Sequence, residues 1–591
     1  MTNKNLILSL LGIVFLFGFI DLGSAILAYD GSNNVYRCGD IDVAGNYQMN
    51  QTIIDNPNRC LNITSSDVLL TCGAFEMNLT ITEDWHIFVE SDSTENITIE
   101  NCRLNIDSGV SDSEVEGIRL SSVENAILNN VTLVSKLSGS NLFTAIFILG
   151  GDNILINNSI LNDTSPQLGD GIQISGDLFS PSSSISIENT IIDSYNYGIE
   201  AVSAISETNL TINNVSFSNS GWADIDFGAD CDRIEISNTI SSSGNPFQFY
   251  NSESTITDSV VSELILCEAH NSIISNVTIN PVTDGQGLWI INTNNTNISD
   301  LEVTDSFYGV YLSGHVYNNI LNDISLNAVN YGIILGGTSG DRVDNNQITN
   351  VTIISDYSNG QGIDINTGSY NLFNNISIQN TSSSAISISG GASSVGNNFT
   401  NIIVNKTNSN GILLFQASSN IFSNFIISNA RSSEISLSFS SNNNTFRDFS
   451  IGNISIASNG GTNNILLNIT GKGGYEETVN SGSFLIRKWY VNAHVNKSNN
   501  NNPINGATVT AWNVSGDQID SGTTDANGLK TLQLIEYVKV GTTSGGTRTY
   551  YSNYTINATK NGWSAGSQSL NVSGNSDINF YLRTPKPRKS R

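Results

Sequence analysis

The chain carries one short pattern of apolar and polar residues again and again over most of its length. Ala126–Leu133 reads AILNNVTL, Ile154–Leu161 reads ILINNSIL and Leu210–Phe217 reads LTINNVSF. In each segment apolar and polar residues alternate, a polar residue interrupts the alternation, and a second alternating run follows. A period of two is typical of a strand with one buried face. The pattern therefore predicts two short strands joined at an Asn or Asp, which we call the pivot.

The pivots recur at an interval that leaves room for a third strand. Adjacent pivots lie 18 to 31 residues apart. The pivots are Asn101, Asn130, Asn158, Asn189, Asn214, Asn238, Asp258, Asn276, Asp300, Asp323, Asn350, Asn375, Asn401, Asn424, Asp448 and Asn468. The third run often opens with glycine: GIQI from Gly171, GIEA from Gly198, GLWI from Gly287, GVYL from Gly309, GIIL from Gly332, GIDI from Gly362 and GILL from Gly411. Each repeat thus supplies three strands.

Three strands per repeat predict a coil in which each repeat forms one turn. A single repeat cannot bury its apolar face, but stacked repeats form a continuous core. We therefore predict an all-β, right-handed parallel β-helix with a length of roughly 75 Å, because strands in a sheet lie about 4.8 Å apart. The alternative is a propeller or sandwich of hairpins, whose tight turns favour Asn-Gly or Asp-Gly. No pivot precedes a glycine, which favours the coil.

The Asn residues at the pivots have a predicted structural role. Asn tolerates the left-handed backbone conformation that a sharp bend between strands needs. Stacked Asn side chains can also hydrogen-bond from one coil to the next. The ladder that we predict comprises Asn130, Asn158, Asn214, Asn276, Asn350, Asn375, Asn401 and Asn424.

These repeats resemble the parallel β-helix repeats of the pectin-lyase-like superfamily, and within it the NosD-type, carbohydrate-binding and sugar-hydrolase group. The resemblance covers about residues 38 to 470. The opening segment, with Cys38, a second cysteine and the V-x-L-x-C-G element Val68–Gly73, is similar to the start of archaeal surface β-helix proteins. The superfamily includes lyases, hydrolases, epimerases, tailspikes and inert surface proteins. The resemblance therefore implies a fold and leaves the function open.

A different period begins at Phe484. Pro503–Trp512 reads PINGATVTAW and Thr524–Leu529 reads TDANGL. This segment resembles the carboxypeptidase-regulatory, transthyretin-like β-sandwich, which implies an adhesive or spacer unit. The domains that we predict are a signal peptide at 1–28, an N-terminal cap and first coil at 29–72, the β-helix at 73–470, a linker at 471–483, the sandwich at 484–582 and a basic disordered tail at 583–591.

The N-terminus indicates export from the cell. Lys4 precedes an apolar run, and Gly23-Ser24-Ala25 is a small-residue cleavage pattern, although cleavage after Ala28 fits as well. An uncleaved membrane anchor is the alternative, but the run is short for a membrane span. Frequent N-x-S/T sequons support an extracellular or cell-surface location. We expect no membrane span once the signal is removed.

The net charge of −29 restricts the classes of partner. Nucleic-acid binding depends on Lys and Arg contacts with phosphate, so this balance argues against it. The chain has no lysine between Lys136 and Lys406, and its strong bases in that stretch are Arg233 and Arg342. It is therefore poorly suited to polyanionic sugars such as polyuronates. The partners that we expect are cell-surface glycans or envelope components, and no nucleic acid.

One outward column of the glycine-led strands contains the candidate functional residues. In order along the coils it comprises Gln173, Glu200, Asp226, Gln248, Ile265, Trp289, Tyr311, Ile334, Asp364, Ser387, Leu413 and Ser436. Glu200 and Asp226 lie one coil apart, and a carboxyl separation of about 5 Å fits paired-carboxylate glycoside chemistry. Trp289 and Tyr311 form a candidate platform for sugar rings. We predict that these four residues contact a glycan.

The catalytic interpretation is the weaker of two. Its candidate residues are Glu200, Asp226 and Asp224, with Asp230 and Asp232 nearby. The Asp-Asp, G-H-G and R-I-K motifs of polygalacturonases are missing, and a pectate lyase's Arg or Lys base has no evident candidate. We therefore expect a structural, adhesive or glycan-binding protein without catalysis. The alternative is a hydrolase or lyase that acts on a neutral glycan.

The cysteines are best interpreted as structural. Four of them lie in the first coils, and export permits disulfides. The pairs that we predict are Cys38–Cys60 and Cys72–Cys102, which would staple the exposed end of the array. Cys231 and Cys267 lie two coils apart, which is too far for a disulfide, and we predict that both are free.

A metal centre is not indicated. Copper sites favour His, Cys and Met, but the chain has 4 His and 3 Met and no His-x-His motif. We expect no cofactor, with calcium on the outward face as an open alternative.

Overall fold

The computed structural model of the chain describes most of the residues between Ile26 and Thr584. The described ranges are 26–55, 60–81, 84–108, 115–136, 143–164, 169–176, 182–203, 209–228, 233–250, 253–282, 285–336, 340–355, 357–390, 394–452, 454–471, 475–543 and 546–584. Their secondary structure consists of 53 strands. Within these ranges no helix is long and apolar enough to cross a membrane. Residues 1–25 of the predicted signal peptide and 585–591 of the predicted tail lie outside them.

The strands are short and follow one another closely. From the N-terminus they are β1 (Asn34–Val35), β2 (Gly39–Ile41), β3 (Gly45–Met49), β4 (Ile53–Asp55), β5 (Leu61–Ile63), β6 (Val68–Thr71), β7 (Glu76–Ile81), β8 (Asp84–Glu100), β9 (Arg103–Ser108), β10 (Val115–Asn129), β11 (Thr132–Lys136), β12 (Phe143–Asn157), β13 (Ile160–Asp163), β14 (Gly169–Ser175), β15 (Ser183–Glu188), β16 (Ile191–Asp193), β17 (Tyr197–Ser203), β18 (Asn209–Asn213), β19 (Ser216–Ser218), β20 (Ala223–Phe227), β21 (Arg233–Ser237), β22 (Ile240–Ser241), β23 (Pro246–Tyr250), β24 (Glu253–Val261), β25 (Glu263–Cys267) and β26 (Ile273–Ile279). They continue with β27 (Gln286–Ile291), β28 (Asn297–Thr304), β29 (Tyr308–Ser313), β30 (His315–Tyr317), β31 (Ile320–Asn327), β32 (Tyr331–Leu335), β33 (Arg342–Asp344), β34 (Gln347–Ile354), β35 (Gln361–Ile365), β36 (Leu372–Thr381), β37 (Ile386–Ile388), β38 (Asn398–Thr407), β39 (Ile412–Phe415), β40 (Ile421–Ala430), β41 (Ile435–Ser438), β42 (Thr445–Ile451), β43 (Ile454–Asn459), β44 (Asn464–Gly471) and β45 (Tyr475–Val479). The last eight are β46 (Phe484–Lys497), β47 (Thr508–Trp512), β48 (Gln518–Thr523), β49 (Leu529–Val540), β50 (Thr547–Tyr550), β51 (Tyr554–Thr559), β52 (Gly566–Leu570) and β53 (Ser576–Leu582).

The strands β1 to β45 form a coil of about 15 turns. Each strand pairs in parallel with its equivalent one coil further on, as β17 does with β20 and β28 does with β31. Three sheets therefore run along the axis. The glycine sheet contains the glycine-led strands, such as β17 and β20. The pre-pivot sheet contains the strands before the pivots, such as β18 and β21, and the post-pivot sheet those after the pivots, such as β19 and β22. Strands such as β31 and β34 bend at the pivot and contribute to both of the latter. The parallel pairing confirms the predicted parallel β-helix.

The interior of the coil is filled by the apolar half of each alternating strand. Ile, Leu, Val and Phe side chains from all three sheets form one continuous buried cluster. Phe373, Phe399 and Phe422 stack face to face, with ring centroids 4.4 and 5.0 Å apart. Burying each such side chain contributes roughly 1.5–3 kcal/mol. Packing of one coil against the next is therefore the main source of stability.

The pivots adopt the backbone conformation that their residue types favour. All sixteen have a left-handed φ, between 50° for Asn189 and 60° for Asp448. Several side chains bond along the axis: Nδ2 of Asn130 donates to Oδ1 of Asn101 at 2.8 Å, and Asn375 donates to Asn350 at 2.8 Å. Others, such as Asn158, donate to the Asn beside the previous pivot. The bend thus combines a tolerated left-handed residue with a bond between coils.

Glycine opens the strands of the glycine sheet because the coils approach closely there. A Cβ atom at Gly309 would lie 2.6 Å from the carbonyl oxygen of Gly332 and 3.0 Å from Cδ1 of Leu326. Both contacts are shorter than van der Waals distances. The glycine at this position therefore lets the backbone of one coil rest on the next.

The first coils are stapled by two disulfides. Cys38 is bonded to Cys60, and Cys72 to Cys102, as the sequence predicts. Cys267 forms no disulfide and is half-buried. Cys231 lies outside the described residues, so its predicted free state stays a prediction.

Two of the predicted boundaries differ from the structure. Ala28, placed at the end of the signal peptide, is buried, and its N–H donates to the carbonyl of Asp40 at 3.0 Å. The first coil therefore begins before residue 29. The predicted linker 471–483 contains β45, which pairs in parallel with β43. The Tyr475–Val479 segment of the predicted linker therefore continues the glycine sheet of the coil.

The C-terminal unit has a core of its own. The strand β46 pairs in parallel with β44 of the last coil and then continues between β49 and β53. A separate antiparallel sheet has the order β48-β47-β51-β52. Side chains of both sheets, such as Val491, Leu532 and Ile556, share one buried cluster. A single continuous strand thus connects the coil to two packed sheets.

Candidate functional site

The outward column of the glycine sheet has the register that the sequence predicts. The pairings Gln173↔Glu200, Glu200↔Asp226, Asp226↔Gln248, Gln248↔Ile265, Ile265↔Trp289 and Trp289↔Tyr311 are all observed. The alternation places these side chains opposite the buried residues of the same strands, such as Ile199 and Ile225. Because neighbouring coils are about 4.8 Å apart, the carboxylate pair and the aromatic pair are separated by three coils, or about 14 Å.

The carboxylates of Glu200 and Asp226 are adjacent and half-buried. Nε2 of Gln173 donates to Glu200 at 3.0 Å and to Asp170 at 3.2 Å. Burial, and then the nearby charge of Glu200, raise the pKa of Asp226 above its usual value. Oδ1 of Asp226 is buried without a hydrogen-bond partner in the described part of the chain. The charged form of Asp226 is therefore disfavoured by its surroundings. The neighbouring carboxylate of Glu200 is instead stabilised by a hydrogen bond from the side-chain amide of Gln173.

Asp224 does not join them on the outward face. It is fully buried and accepts a hydrogen bond from Oγ of Ser241, which lies 2.9 Å from Oγ of Ser262. Burial raises the pKa of Asp224, against the effect of the serine hydroxyls. The register places Asp224 beside Gly198, in the row of glycines that contacts the next coil. Asp224 therefore does not lie on the outward face with Glu200 and Asp226, and its membership of the catalytic set stays a prediction. Asp230 and Asp232 lie outside the described residues.

The aromatic residues form a larger cluster than the predicted pair. The rings of Trp289 and Tyr311 meet edge to face with centroids 5.4 Å apart. Tyr308 lies 5.4 Å from Tyr311 and 5.5 Å from Tyr331. All four are half-buried, so each side chain keeps part of its surface in solvent. We call these four residues the C-terminal platform. Such a surface offers flat apolar contact area together with phenol hydroxyls for hydrogen bonds, whereas Nε1 of Trp289 is buried without a hydrogen-bond partner in the described part of the chain.

A second group of aromatic residues lies at the N-terminal end of the same column, at positions outside the predicted site. The register continues from Gln173 to Phe147, Arg119 and Phe88. The guanidinium of Arg119 lies 4.8 Å from the ring centroid of Phe147 and 5.8 Å from that of Trp85. The sequence signal was the GIRL run from Gly117, which has the form of the other glycine-led strands.

A buried asparagine ladder was also missed. Asn319, Asn346, Asn371, Asn397, Asn420, Asn444 and Asn464 are fully buried. From Asn346 onward, each accepts at its Oδ1 the backbone N–H of the ladder residue one coil before it, as Asn397 does for Asn371 at 3.0 Å. Oδ1 of Asn319, the first of the row, accepts the N–H of Thr296. Each lies four residues before a pivot, and this spacing could have identified the row. The ladder positions the strands but does not reach the outward surface.

A polar cavity of about 540 Å³ lies on a different face, on the post-pivot sheet. Arg103 forms an ion pair with Glu76 at 3.4 Å, and Asn105 donates to Asn78 at 2.6 Å. Lys136 also lines it. Glu76, Arg103 and Asn105 thus already bond to one another in the cavity wall.

No cluster of three or more His, Cys, Asp or Glu residues suited to a metal ion occurs in the described part of the chain.

Solved structures with a likeness to this chain share little sequence with it, and no protein-family model or curated protein matches it. A tailspike protein of an E. coli bacteriophage, in complex with a pentasaccharide, is 11% identical with a TM-score of 0.36, covering 80% of this chain and 87% of that chain. The A-module of a mannuronan C-5 epimerase from Azotobacter vinelandii is 14% identical with a TM-score of 0.29, covering 57% and 86%. PfbA, a surface adhesin of Streptococcus pneumoniae, is 15% identical with a TM-score of 0.24, covering 69% and 86%. These TM-scores are low, and the likenesses carry no argument about what this chain binds.

Proposed function

We propose that the protein is a secreted or cell-surface β-helix that binds neutral glycans on the outward face of its glycine sheet, without catalysis. The observation that carries this proposal is the C-terminal platform, which lies in register with Glu200 and Asp226 on one sheet. Sugar rings stack on exposed aromatic faces, and carboxylates accept hydrogen bonds from sugar hydroxyls. The two groups are about three coils, or 14 Å, apart, so one oligosaccharide could contact both.

The charge of the face supports a neutral ligand. Asp170, Glu200 and Asp226 lie close together, and their charges act on Tyr197, whose pKa they raise after the larger effect of burial. A polyuronate would bring further negative charge to this region, and like charges repel more strongly where solvent is partly excluded. A glycan with hydroxyl and acetamido groups avoids that repulsion.

The location and the C-terminal unit form part of the same proposal. Two disulfides close the first coils, and disulfides persist in oxidising, extracellular environments. The C-terminal unit resembles a transthyretin-like sandwich in its sequence, and we assign it the role of a spacer or adhesive module. Its junction with the coil is fixed: the hydroxyl of Tyr537 donates to the buried carboxylate of Glu477 at 2.8 Å.

A binding screen tests the proposal. Neutral β-1,4-linked oligosaccharides of xylose, mannose and N-acetylglucosamine are compared with oligogalacturonate, and each is also tested with EDTA to detect a calcium requirement. We expect at least one neutral series to bind and oligogalacturonate not to bind. Trp289→Ala should weaken binding about tenfold, since loss of one stacking contact costs on the order of 1.4 kcal/mol. Tyr581→Ala, an exposed aromatic of the C-terminal unit, is the control.

A glycoside hydrolase is the second candidate, because Asp226 has a raised pKa beside Glu200. Two neighbouring carboxyl groups, one of them with a raised pKa, are the arrangement that glycosidases use. Release of reducing ends from the bound series would support it, provided that Glu200→Gln and Asp226→Asn abolish release while the C-terminal platform still binds the series more weakly. Binding without release in the unmodified protein contradicts it.

A further inference from the structure

The outward column of the glycine sheet continues well beyond the carboxylates toward the N-terminus. Phe147 pairs with Gln173, Arg119 with Phe147, and Phe88 with Arg119. A parallel column beside it contains Trp85, Glu116 and Thr144, which pair in the same way. The column therefore has aromatic residues at both ends and carboxylates between them.

The aromatic residues at the N-terminal end of the column are packed around the side chain of Arg119. The guanidinium of Arg119 lies 4.8 Å from the Phe147 ring centroid, 5.8 Å from that of Trp85 and 5.9 Å from that of Phe88. It also forms a 2.8 Å ion pair with Glu116. Phe88 is buried beneath, whereas Trp85 and Phe147 are half-buried. The contacts hold the rings and the guanidinium in one arrangement, and we call this group the N-terminal platform.

The two platforms are aligned along the axis. Six coil steps separate Phe147 from Trp289, which is about 29 Å at the spacing of strands in a sheet. Glu200 lies two coils beyond Phe147, and Asp226 lies three coils beyond it. Because the residues share one column of in-register pairings, a ligand that joins the platforms must be extended rather than helical.

We propose that the two platforms and the carboxylates form one continuous track for an extended neutral polysaccharide of β-1,4-linked type. This inference rests on the proposed glycan-binding function and adds the length and shape of the ligand. A pyranose unit of such a chain advances roughly as far as one coil, about 5 Å, so at least seven units are needed to contact both platforms. The ion pair with Glu116 neutralises Arg119, which keeps the N-terminal platform suited to an uncharged chain.

Simultaneous contact with two platforms has a measurable consequence. Once one end of a long chain is bound, the second contact is intramolecular and occurs at a high effective concentration. A short oligosaccharide reaches one platform at a time and does not gain from the second. Affinity should therefore rise with chain length until both platforms are spanned.

The test compares tri- and decasaccharides of β-1,4-linked xylose, mannose and N-acetylglucosamine by calorimetry on the full chain. In at least one series the decasaccharide should bind more than about tenfold tighter than the trisaccharide. Phe147→Leu removes the flat ring but keeps an apolar side chain, and should lose most of this gain, while the trisaccharide still binds at the C-terminal platform. Phe147→Tyr keeps the ring and should keep the gain. Trisaccharide binding that is still lost on Trp289→Ala, at the C-terminal platform, also shows that the Phe147→Leu variant is folded.

The outcomes separate this inference from the function on which it rests. A decasaccharide that binds no better to the unmodified protein than to Phe147→Leu overturns the continuous track, while trisaccharide binding keeps the glycan-binding function. A longer chain can also bind more tightly simply because it offers more positions at which it can bind. That statistical gain does not depend on Phe147, so it would remain in Phe147→Leu. If no series binds at either length, the proposed function is overturned as well. Tyr581→Leu, in the C-terminal unit, should match the unmodified protein throughout.

Discussion

Oδ1 of Asn397 accepts two hydrogen bonds from Asn371 of the preceding coil, one from the backbone N–H at 3.0 Å and one from Nδ2 at 3.1 Å. Its own Nδ2 donates to the carbonyl of Gly368 at 2.9 Å. The side chain is fully buried, so water cannot replace these partners. Asn397 thus satisfies backbone groups that the coil would otherwise leave unpaired.

The inner and outer asparagines of one coil should differ in their contribution to stability. Asn397→Ala leaves the buried N–H of Asn371 without a partner and should lower the unfolding free energy by about 3 kcal/mol. Asn401, at the pivot, is exposed and donates to Asn374 at 2.9 Å. Asn401→Ala should cost about 1 kcal/mol, mainly through the left-handed φ of 57°. Urea denaturation of both variants measures the difference, and equal losses would contradict the assigned role of the inner ladder.

The glycine-led strands should be intolerant of a methyl group where the coils touch. Gly309→Ala would place a Cβ 2.6 Å from the carbonyl oxygen of Gly332, and the resulting displacement should cost about 1–3 kcal/mol. A Cβ at Gly340 meets no atom within 4 Å, so Gly340→Ala is the matched control. It should leave stability unchanged or slightly higher, because alanine restricts the unfolded chain. Similar thermal midpoints for the two variants would show that the close approach is not limiting.

The buried side chain of His86 should make folding sensitive to acid. Its Nδ1 lies 3.0 Å from the carbonyl oxygen of Glu116, and burial lowers the pKa of His86 from 6.5 to about 4. The unfolded chain therefore binds a proton more tightly than the folded one. The stability that neutral His86 provides is complete above pH 6.5 and is lost as the pH falls toward 4, by roughly 3 kcal/mol in total.

His86→Asn isolates this effect. The variant has no group that titrates in this range, so the difference in unfolding free energy between it and the unmodified protein should change by roughly 3 kcal/mol between pH 7 and pH 4. The many carboxylates of the chain contribute equally to both proteins and cancel in that difference. His315→Asn, at an exposed position, should show little change. A pH-independent difference for His86→Asn would show that the pKa of His86 is the same in the folded and unfolded chain, which contradicts the lowered pKa.

The sequence predicts the coil well because a period of two and a glycine fix the phase of each strand. Counting from Gly198 or Gly309 places Glu200 and Tyr311 outward, and the observed register agrees. Alternation alone cannot show whether a polar residue next to the outward column, such as Asp224, points to solvent or lies buried in the row of glycines. Arg119 was missed for another reason: its significance comes from Trp85 and Phe147, which are distant in sequence and meet it through the stacking of coils.

Asp226→Asn should stabilise the folded protein at neutral pH. The raised pKa of Asp226 means that the folded state binds a proton more tightly than the unfolded chain, so its contribution favours folding at low pH and is lost as the pH rises through the raised pKa. At pH 7 the charged, partly desolvated carboxylate opposes folding, and the amide removes that charge. The denaturation midpoint of Asp226→Asn should exceed that of the unmodified protein at pH 7 and approach it at pH 3.

Glu200→Gln provides the coupled measurement. Removing the charge of Glu200 should lower the pKa of Asp226, although burial remains the larger cause of its rise. The stabilising effects of Glu200→Gln and Asp226→Asn should therefore not be additive, since either change relieves the same repulsion. A less stable Asp226→Asn at pH 7 would contradict the raised pKa. A more stable Asp226→Asn would show that the carboxylate of Asp226 destabilises the folded protein at pH 7. Such destabilising groups are typical of residues that contact a ligand.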